Sequence, residues 1–222
     1  MAEDLRLFGG ILRTQIIKIN PKKVEAQTIR IITDTLSRGG VIIYPTDTYY
    51  GLGADCLLEQ AVKRIFQVKK RQFSKALPVL IADIEMARKI AAEIPPSFHT
   101  LSAEFWPGPL TLVLKAAAML PAELVGTDQT IGIRLPAVPW LRELIRQAKF
   151  PIVATSANIS GEGEIASAEK VIQVFNHRVD LIVDGGQTPG SLPSTVVDLT
   201  SGQPVLIRDG AIPRARLKKY LT

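Results

Sequence analysis

Polar and apolar side chains alternate from Gln15 to Ile19 and stop at Asn20-Pro21, the pattern of a short strand closed by a turn. Ile29, Ile32 and Leu36 then recur at helical spacing across 24–37, which predicts a helix halted by Gly39-Gly40. The next run, Val41-Ile42-Ile43-Tyr44, is continuously apolar and reads as a buried strand ending at Pro45. Helical periodicity returns over 61–70, 84–94, 139–147, 168–176 and 213–220, with Pro95-Pro96 closing the third helix. Strand-like runs occupy 77–82, 110–114, 130–135, 151–155, 180–184, 195–199 and 205–208. Strands and helices interleave throughout, which predicts a layered α/β domain built on a mixed β-sheet with flanking helices. Residues 1–14 stand outside the pattern and are expected to form a loosely attached leader before one domain spanning 15–222.

With 222 residues and 46% apolar side chains, the chain can bury one sizeable core. No stretch approaches the roughly 20 apolar residues of a membrane span, and the first ten residues lack an export pattern, so a cytoplasmic protein is expected. Cys56 is the sole cysteine, and His99 and His177 are the only histidines. A disulfide framework and a Cys/His zinc site are thereby excluded. The net charge of +6 favours an anionic partner without separating RNA from nucleotides or phosphorylated metabolites, and solubility alone also accounts for it. The basic residues are dispersed, which points to a local pocket rather than a nucleic-acid arm.

Five segments carry candidate chemistry. Pro45-Thr46-Asp47-Thr48-Tyr49-Tyr50-Gly51-Leu52-Gly53 follows a strand directly, where α/β folds place ligand loops, although an ordinary turn has the same composition. Cys56 stands where a third glycine would complete a dinucleotide fingerprint. Lys69-Lys70-Arg71 and Lys75 lie at a helix-to-strand junction, either as partners of the helix dipole or as a phosphate clamp. No P-loop motif is present, so a triphosphate would have to be held by such side chains. Ala154-Thr155-Ser156-Ala157-Asn158-Ile159-Ser160-Gly161 is rich in hydroxyl and amide groups that can bind a ligand or cap a helix. Neither histidine sits in a motif that would activate a serine nucleophile. The remaining two segments are Thr130 to Pro136, and Pro193 to Val197 with Val205 to Gly210. In them Arg134 and Arg208 interrupt or end apolar strands, as salt-bridge partners or as ligand groups.

Together and in this order, PTDTYYGLG, KKR with Lys75, FWPGPLTLVL, TIGIRLP, ATSANISG, VDGG and PSTVVDLT resemble the YrdC-like threonylcarbamoyl-AMP synthases from about residue 15 to about residue 215. The resemblance implies a twisted α/β fold with a deep basic cavity where ATP, L-threonine and bicarbonate meet. The product would be threonylcarbamoyl-AMP for tRNA modification, and a downstream tRNA threonylcarbamoyl transferase complex would be the partner. By position, Thr46, Thr48, Arg134, the Ala154 backbone and Ser194 match the threonine site. Lys69, Arg71, Lys75, Thr130, Ser156, Asn158 and Arg208 match the nucleotide side, with Lys69 and Arg71 as the catalytic pair. Mg2+ would arrive on ATP rather than in a protein cage. The chain departs from the family pattern at Ala76, where many members have proline, at Leu80, where some have histidine, and at Glu164, where certain members have a small polar contact. A non-catalytic RNA-binding or ribosome-assembly module, with weak RNA contact through the same basic concavity, is the alternative. A carbamoyl-transfer relative is a third reading.

Overall fold

The computed structural model describes residues 12–72, 76–190 and 192–221. Its strands are β1 (Gln15–Lys18), β2 (Ile42–Pro45), β3 (Tyr50–Gly53), β4 (Val79–Leu80), β5 (Leu110–Lys115), β6 (Thr130–Arg134), β7 (Ile152–Val153), β8 (Thr155–Ser156), β9 (Leu181–Asp184), β10 (Thr195–Asp198) and β11 (Val205–Arg208). The helices are α1 (Ala26–Ser37), α2 (Glu59–Lys69), α3 (Ile84–Ile90), α4 (Pro96–Phe105), α5 (Ala122–Val125), α6 (Pro139–Ala148), α7 (Ala168–Phe175) and α8 (Arg214–Leu217). The mixed α/β architecture is as the sequence predicts, with its strands divided between two mixed sheets. One runs β1-β9-β2-β3-β8 and the other β11-β10-β5-β6-β4-β7.

The sheets meet where the chain passes from β7, antiparallel to β4, to β8, antiparallel to β3. The single stretch predicted over 151–155 is therefore two strand ends in different sheets, with Ala154 at the crossing. Its N–H donates to the Pro78 carbonyl at 2.8 Å, while the preceding Val153 N–H donates to Ala54 at 2.9 Å. This crossing brings the end of β2 and the start of β3 against β4, β6, β10 and β11.

Several expected boundaries change: the strand expected over 77–82 is Val79–Leu80, the helix expected over 213–220 is Arg214–Leu217, and α4 and α5 lie where no element was expected. Pro95-Pro96 closes no long helix: α3 stops at Ile90, and Pro96 is at the first turn of α4, where a missing N–H leaves no bond unmade. The segment 45–53 is loop only in its first half. Its second half is β3, whose glycines face the ring of Tyr44 in β2; a Cβ added at Gly51 or Gly53 would approach ring atoms to 2.9 and 2.7 Å. Close packing thus demands glycine in a strand, against its usual propensity.

The helical periodicity of 24–37 is realised on α1, whose buried Ile29, Ile32 and Leu36 share a cluster with Trp140, Leu141, Leu144 and Ile145 of α6. A larger cluster fills the other side, around α2, α4 and β5. The expected leader falls mostly outside the described residues, but 12–14 are attached. Thr14 is buried and donates to the Val179 carbonyl at 2.6 Å while accepting from His177 N–H at 2.8 Å. Among the described residues no helix is long and apolar enough to cross a membrane.

Candidate active site

A cavity of about 320 Å³ opens at the seam between the sheets, and a shallower groove of about 550 Å³ adjoins it. Thr46, Thr48, Arg71, Arg134, Ala154, Ser156, Ser194 and Arg208 all line the cavity. Five segments far apart in sequence therefore supply one site. Arg71, Thr155 and Ser156 line the groove as well and mark the passage between the two spaces.

On one side the turn after β2 is held by its own hydroxyls. Thr46 Oγ1 accepts from Thr48 N–H at 3.0 Å and donates to the Tyr49 carbonyl at 2.6 Å. Its proton being engaged there, the 3.1 Å contact between the two threonine hydroxyls has Thr48 as donor. Beside it Arg134, at the end of β6, donates through Nε to the Gly108 carbonyl at 2.9 Å and through Nη2 to both carboxylate oxygens of Asp47 at 2.7 Å. The Ala154 N–H is already bonded to Pro78, so its carbonyl is the group it can offer a ligand.

Elsewhere on the lining Arg208 donates through Nε and Nη2 to the Ser194 carbonyl at 3.1 and 2.8 Å, and through Nη2 to Ser194 Oγ at 3.0 Å. The backbone of Gly210 lies so close to this segment that an added Cβ would meet the Pro193 oxygen at 2.4 Å. Partial burial disfavours the charge on both Arg71 and Arg208 and lowers their pKa values, with the Glu164 charge opposing the shift at Arg208. Among the described residues, the charged groups on the lining are Arg71, Arg134 and Arg208 with Asp47 and Glu164.

Lys69 differs from expectation. Its side chain is buried, and Nζ bonds the Ser156 carbonyl at 2.5 Å, the Asn158 carbonyl at 3.0 Å and Asn158 Oδ1 at 2.8 Å. All three ammonium donors are thus engaged, and Lys69 fastens the 156–158 loop instead of reaching into the cavity. Asn158 is likewise engaged: Oδ1 accepts from Ser156 Oγ at 2.8 Å, and Nδ2 donates to the Glu162 carbonyl at 2.6 Å. Both residues line the groove. Burial and, secondarily, the Arg71 charge lower the Lys69 pKa to about 8, against an opposing pull from Glu164. Lys70 adopts the left-handed conformation that ends α2 and turns Arg71 toward the cavity, its guanidinium 5.9 Å from the Phe66 ring centre.

Thr130 is not brought to the cavity. It pairs with Lys115 at the far end of β6, four residues and about 13 Å from Arg134. Lys75 lies outside the described residues. The three departures from the family pattern, Ala76, Leu80 and Glu164, all line the cavity. Among the lining residues not named as site residues from sequence are two polar ones, Asp47 and Thr111. Asp47 is the one acid in the 45–53 segment, and Thr111 the one hydroxyl in the apolar run 110–114; each was a signal to be read.

Comparison with known proteins gives a coherent picture. A Sua5/YciO/YrdC family model, described as "Telomere recombination", matches residues 34–210. The threonylcarbamoyl-AMP synthase of Pyrococcus abyssi is 40% identical over 208 residues, covering 94% of this chain and 61% of that protein. The Bacillus subtilis protein of the same name is 39% identical over 84% of this chain and 54% of its own length. The chain thus spans little more than half of these two relatives. A relative from Methanocaldococcus jannaschii is 32% identical over 94% of this chain and 99% of its own length. The crystal structure of P. abyssi Sua5 complexed with L-threonine superposes with a TM-score of 0.89 at 40% identity, covering 93% of this chain and 61% of that one.

Proposed function

The chain belongs to the Sua5/YciO/YrdC family, and on that premise we propose that it is a threonylcarbamoyl-AMP synthase. In this reading the amine of L-threonine combines with bicarbonate to give a carbamate and water. A carbamate oxygen then attacks the α-phosphorus of ATP, the bond to the β-phosphate oxygen breaks, and pyrophosphate leaves. Such a reaction needs aligned reactants and stabilised phosphate charge more than a protein nucleophile.

The observation that carries this reading is a single cavity lined by two unlike sets of groups. Arg134, Thr48 and the Ala154 carbonyl suit the carboxylate, hydroxyl and amine of a small amino acid. Arg71 and Arg208, partly desolvated cations on the same lining, are suited to phosphate oxygens. The adjoining groove gives the nucleoside somewhere to lie, and the cavity volume falls within the roughly 300–1,000 Å³ of small-molecule sites. Magnesium carried on the triphosphate would offset phosphate charge. Asp47 is committed to Arg134, which leaves Glu164 as the lining carboxylate able to face the ion. The mixed-anhydride product is reactive, which fits prompt consumption by a tRNA threonylcarbamoyl transferase in the same cytoplasmic compartment.

The RNA-binding alternative draws less support. Among the described residues the well-exposed large apolar side chains are aliphatic, such as Met119, Leu192 and Ile207, whereas single-stranded RNA is stacked on aromatic faces. Incubation with ATP, L-threonine, bicarbonate and Mg2+ is expected to yield pyrophosphate and threonylcarbamoyl-AMP by mass spectrometry. Equal pyrophosphate release from ATP alone would overturn the synthase reading.

A further inference from the structure

Thr111 is a lone hydroxyl on the apolar strand β5 and is 5% exposed, yet its Oγ1 lies 2.9 Å from Ser194 Oγ on the cavity lining. Its rotamer is set from behind. Gly132 on the neighbouring strand β6 leaves space for the threonine methyl: a Cβ added there would stand 3.2 Å from Thr111 Cγ2 and 3.4 Å from Pro78 Cβ. With the methyl lodged against Gly132, the hydroxyl faces Ser194.

Ser194 Oγ already accepts from Arg208 Nη2 at 3.0 Å, and a guanidinium can only donate. A hydroxyl has two lone pairs and one proton. If Thr111 donates into the second lone pair, both lone pairs of Ser194 Oγ are filled and its proton is left to point into the cavity that Ser194 lines. An anionic ligand selects this arrangement, because it alone delivers an O–H to the ligand, and charge-assisted bonds of that kind are the stronger ones.

We propose that Thr111 is a positioning residue that makes Ser194 an obligate donor into the cavity, so that Ser194 meets an acceptor oxygen of the amino acid and not its amine. The inference rests on the synthase reading. The same Ser194 oxygen is thereby held by Arg208 from β11 and by Thr111 from β5.

The test is calorimetric titration of L-threonine into the unmodified protein, Thr111→Val and Thr111→Ser, with thermal unfolding of each. Valine keeps the shape and removes the donor; serine keeps the donor and removes the methyl. Thr111→Val is expected to raise the threonine Kd about tenfold, with the melting temperature nearly unchanged, and Thr111→Ser to stay within about threefold of the unmodified protein. In steady state the KM for threonine rises in Thr111→Val, while the KM for ATP moves much less. Should valine perturb the fold, Thr111→Ala against Thr111→Ser makes the same comparison. Unmodified protein that binds threonine alongside a Thr111→Val variant that binds it equally well overturns the proposal and leaves the synthase reading standing. Unmodified protein that binds no threonine overturns the reading, and the proposal with it.

Discussion

Lys69 and Asp47 are charged groups whose work is to hold other groups still. The Lys69 ammonium is buried with three oxygens around it, yet burial and the Arg71 charge hold its pKa near 8, below the roughly 10.4 of a free lysine. Between these two values the unfolded chain binds more protons than the folded one, so this group makes stability rise with pH across that window and burdens the fold below it. The expected result is a gain in unfolding free energy from pH 7.5 to 10 that is larger in the unmodified protein than in Lys69→Met, read from urea titrations of both. An equal gain in the two proteins would show that the lysine titrates normally. Asp47 binds Arg134 in a pair whose side chains are only 24% and 11% exposed. Asp47→Ala leaves that guanidinium with the Gly108 carbonyl and no counter-charge. It is expected to cost somewhat less than the roughly 3–5 kcal/mol of a fully buried pair, and to weaken threonine binding. A variant with unchanged stability and threonine affinity would remove Asp47 from this role.

Most elements with a strong period were legible in the sequence, although α4 was missed, and elements defined by contact were not. The apolar spacing of α1 and the continuous runs of β2 and β9 appear where the pattern puts them. The β3 strand did not, because its two glycines are explained only by the Tyr44 ring across the hairpin, a contact that no local pattern reveals. The candidate site shows the same division. Residue types and order pointed to Thr48, Arg134, Ser194 and Arg208, which do converge. No spacing rule could show that Lys69 and Asn158 bond each other, whereas the rise of the strand expected over 130–135 already separates Thr130 from Arg134 by about 13 Å. The β3 packing gives its own prediction. At Gly53 a methyl would come within 2.8 Å of both Ile152 Cγ2 and the Val153 carbonyl, which sit on the crossing between the sheets. Overpacking against backbone is expected to cost roughly 1–3 kcal/mol, so Gly53→Ala should unfold at markedly lower urea concentration. An unchanged midpoint would mean that the crossing yields easily.

At the scale of the whole molecule, the division into two sheets makes the site, because the cavity is the space that opens where β7 hands the chain to β8. One sheet brings the 46–48 turn, the other brings Arg134, Ser194 and Arg208, and α2 ends beside the gap so that Arg71 lines both cavity and groove. In the proposed reaction the phosphates must cross that passage, since the amino acid lies on one side of it and the nucleoside on the other. Arg71 is therefore the cation that the reacting phosphates would pass, and its planar fork can hold two of their oxygens at once. Losing such a desolvated, charge-assisted contact costs roughly 2–5 kcal/mol of binding, so Arg71→Ala is expected to cut synthesis by a factor between ten and a thousand. Stability should respond in a different way. The substitution gives up a cation–π contact with Phe66 worth roughly 0.5–1 kcal/mol, but it also removes a guanidinium whose charge burial already disfavours. These effects oppose each other, and the melting temperature is expected to stay within a few degrees. Arg71→Lys should recover part of the activity, because a point charge attracts phosphate without bridging two oxygens. Synthesis rate and thermal unfolding measured on the same preparations decide the matter: near-normal turnover in Arg71→Ala would mean that the phosphates do not cross at this point, and a large fall in melting temperature would mark the residue as part of the frame.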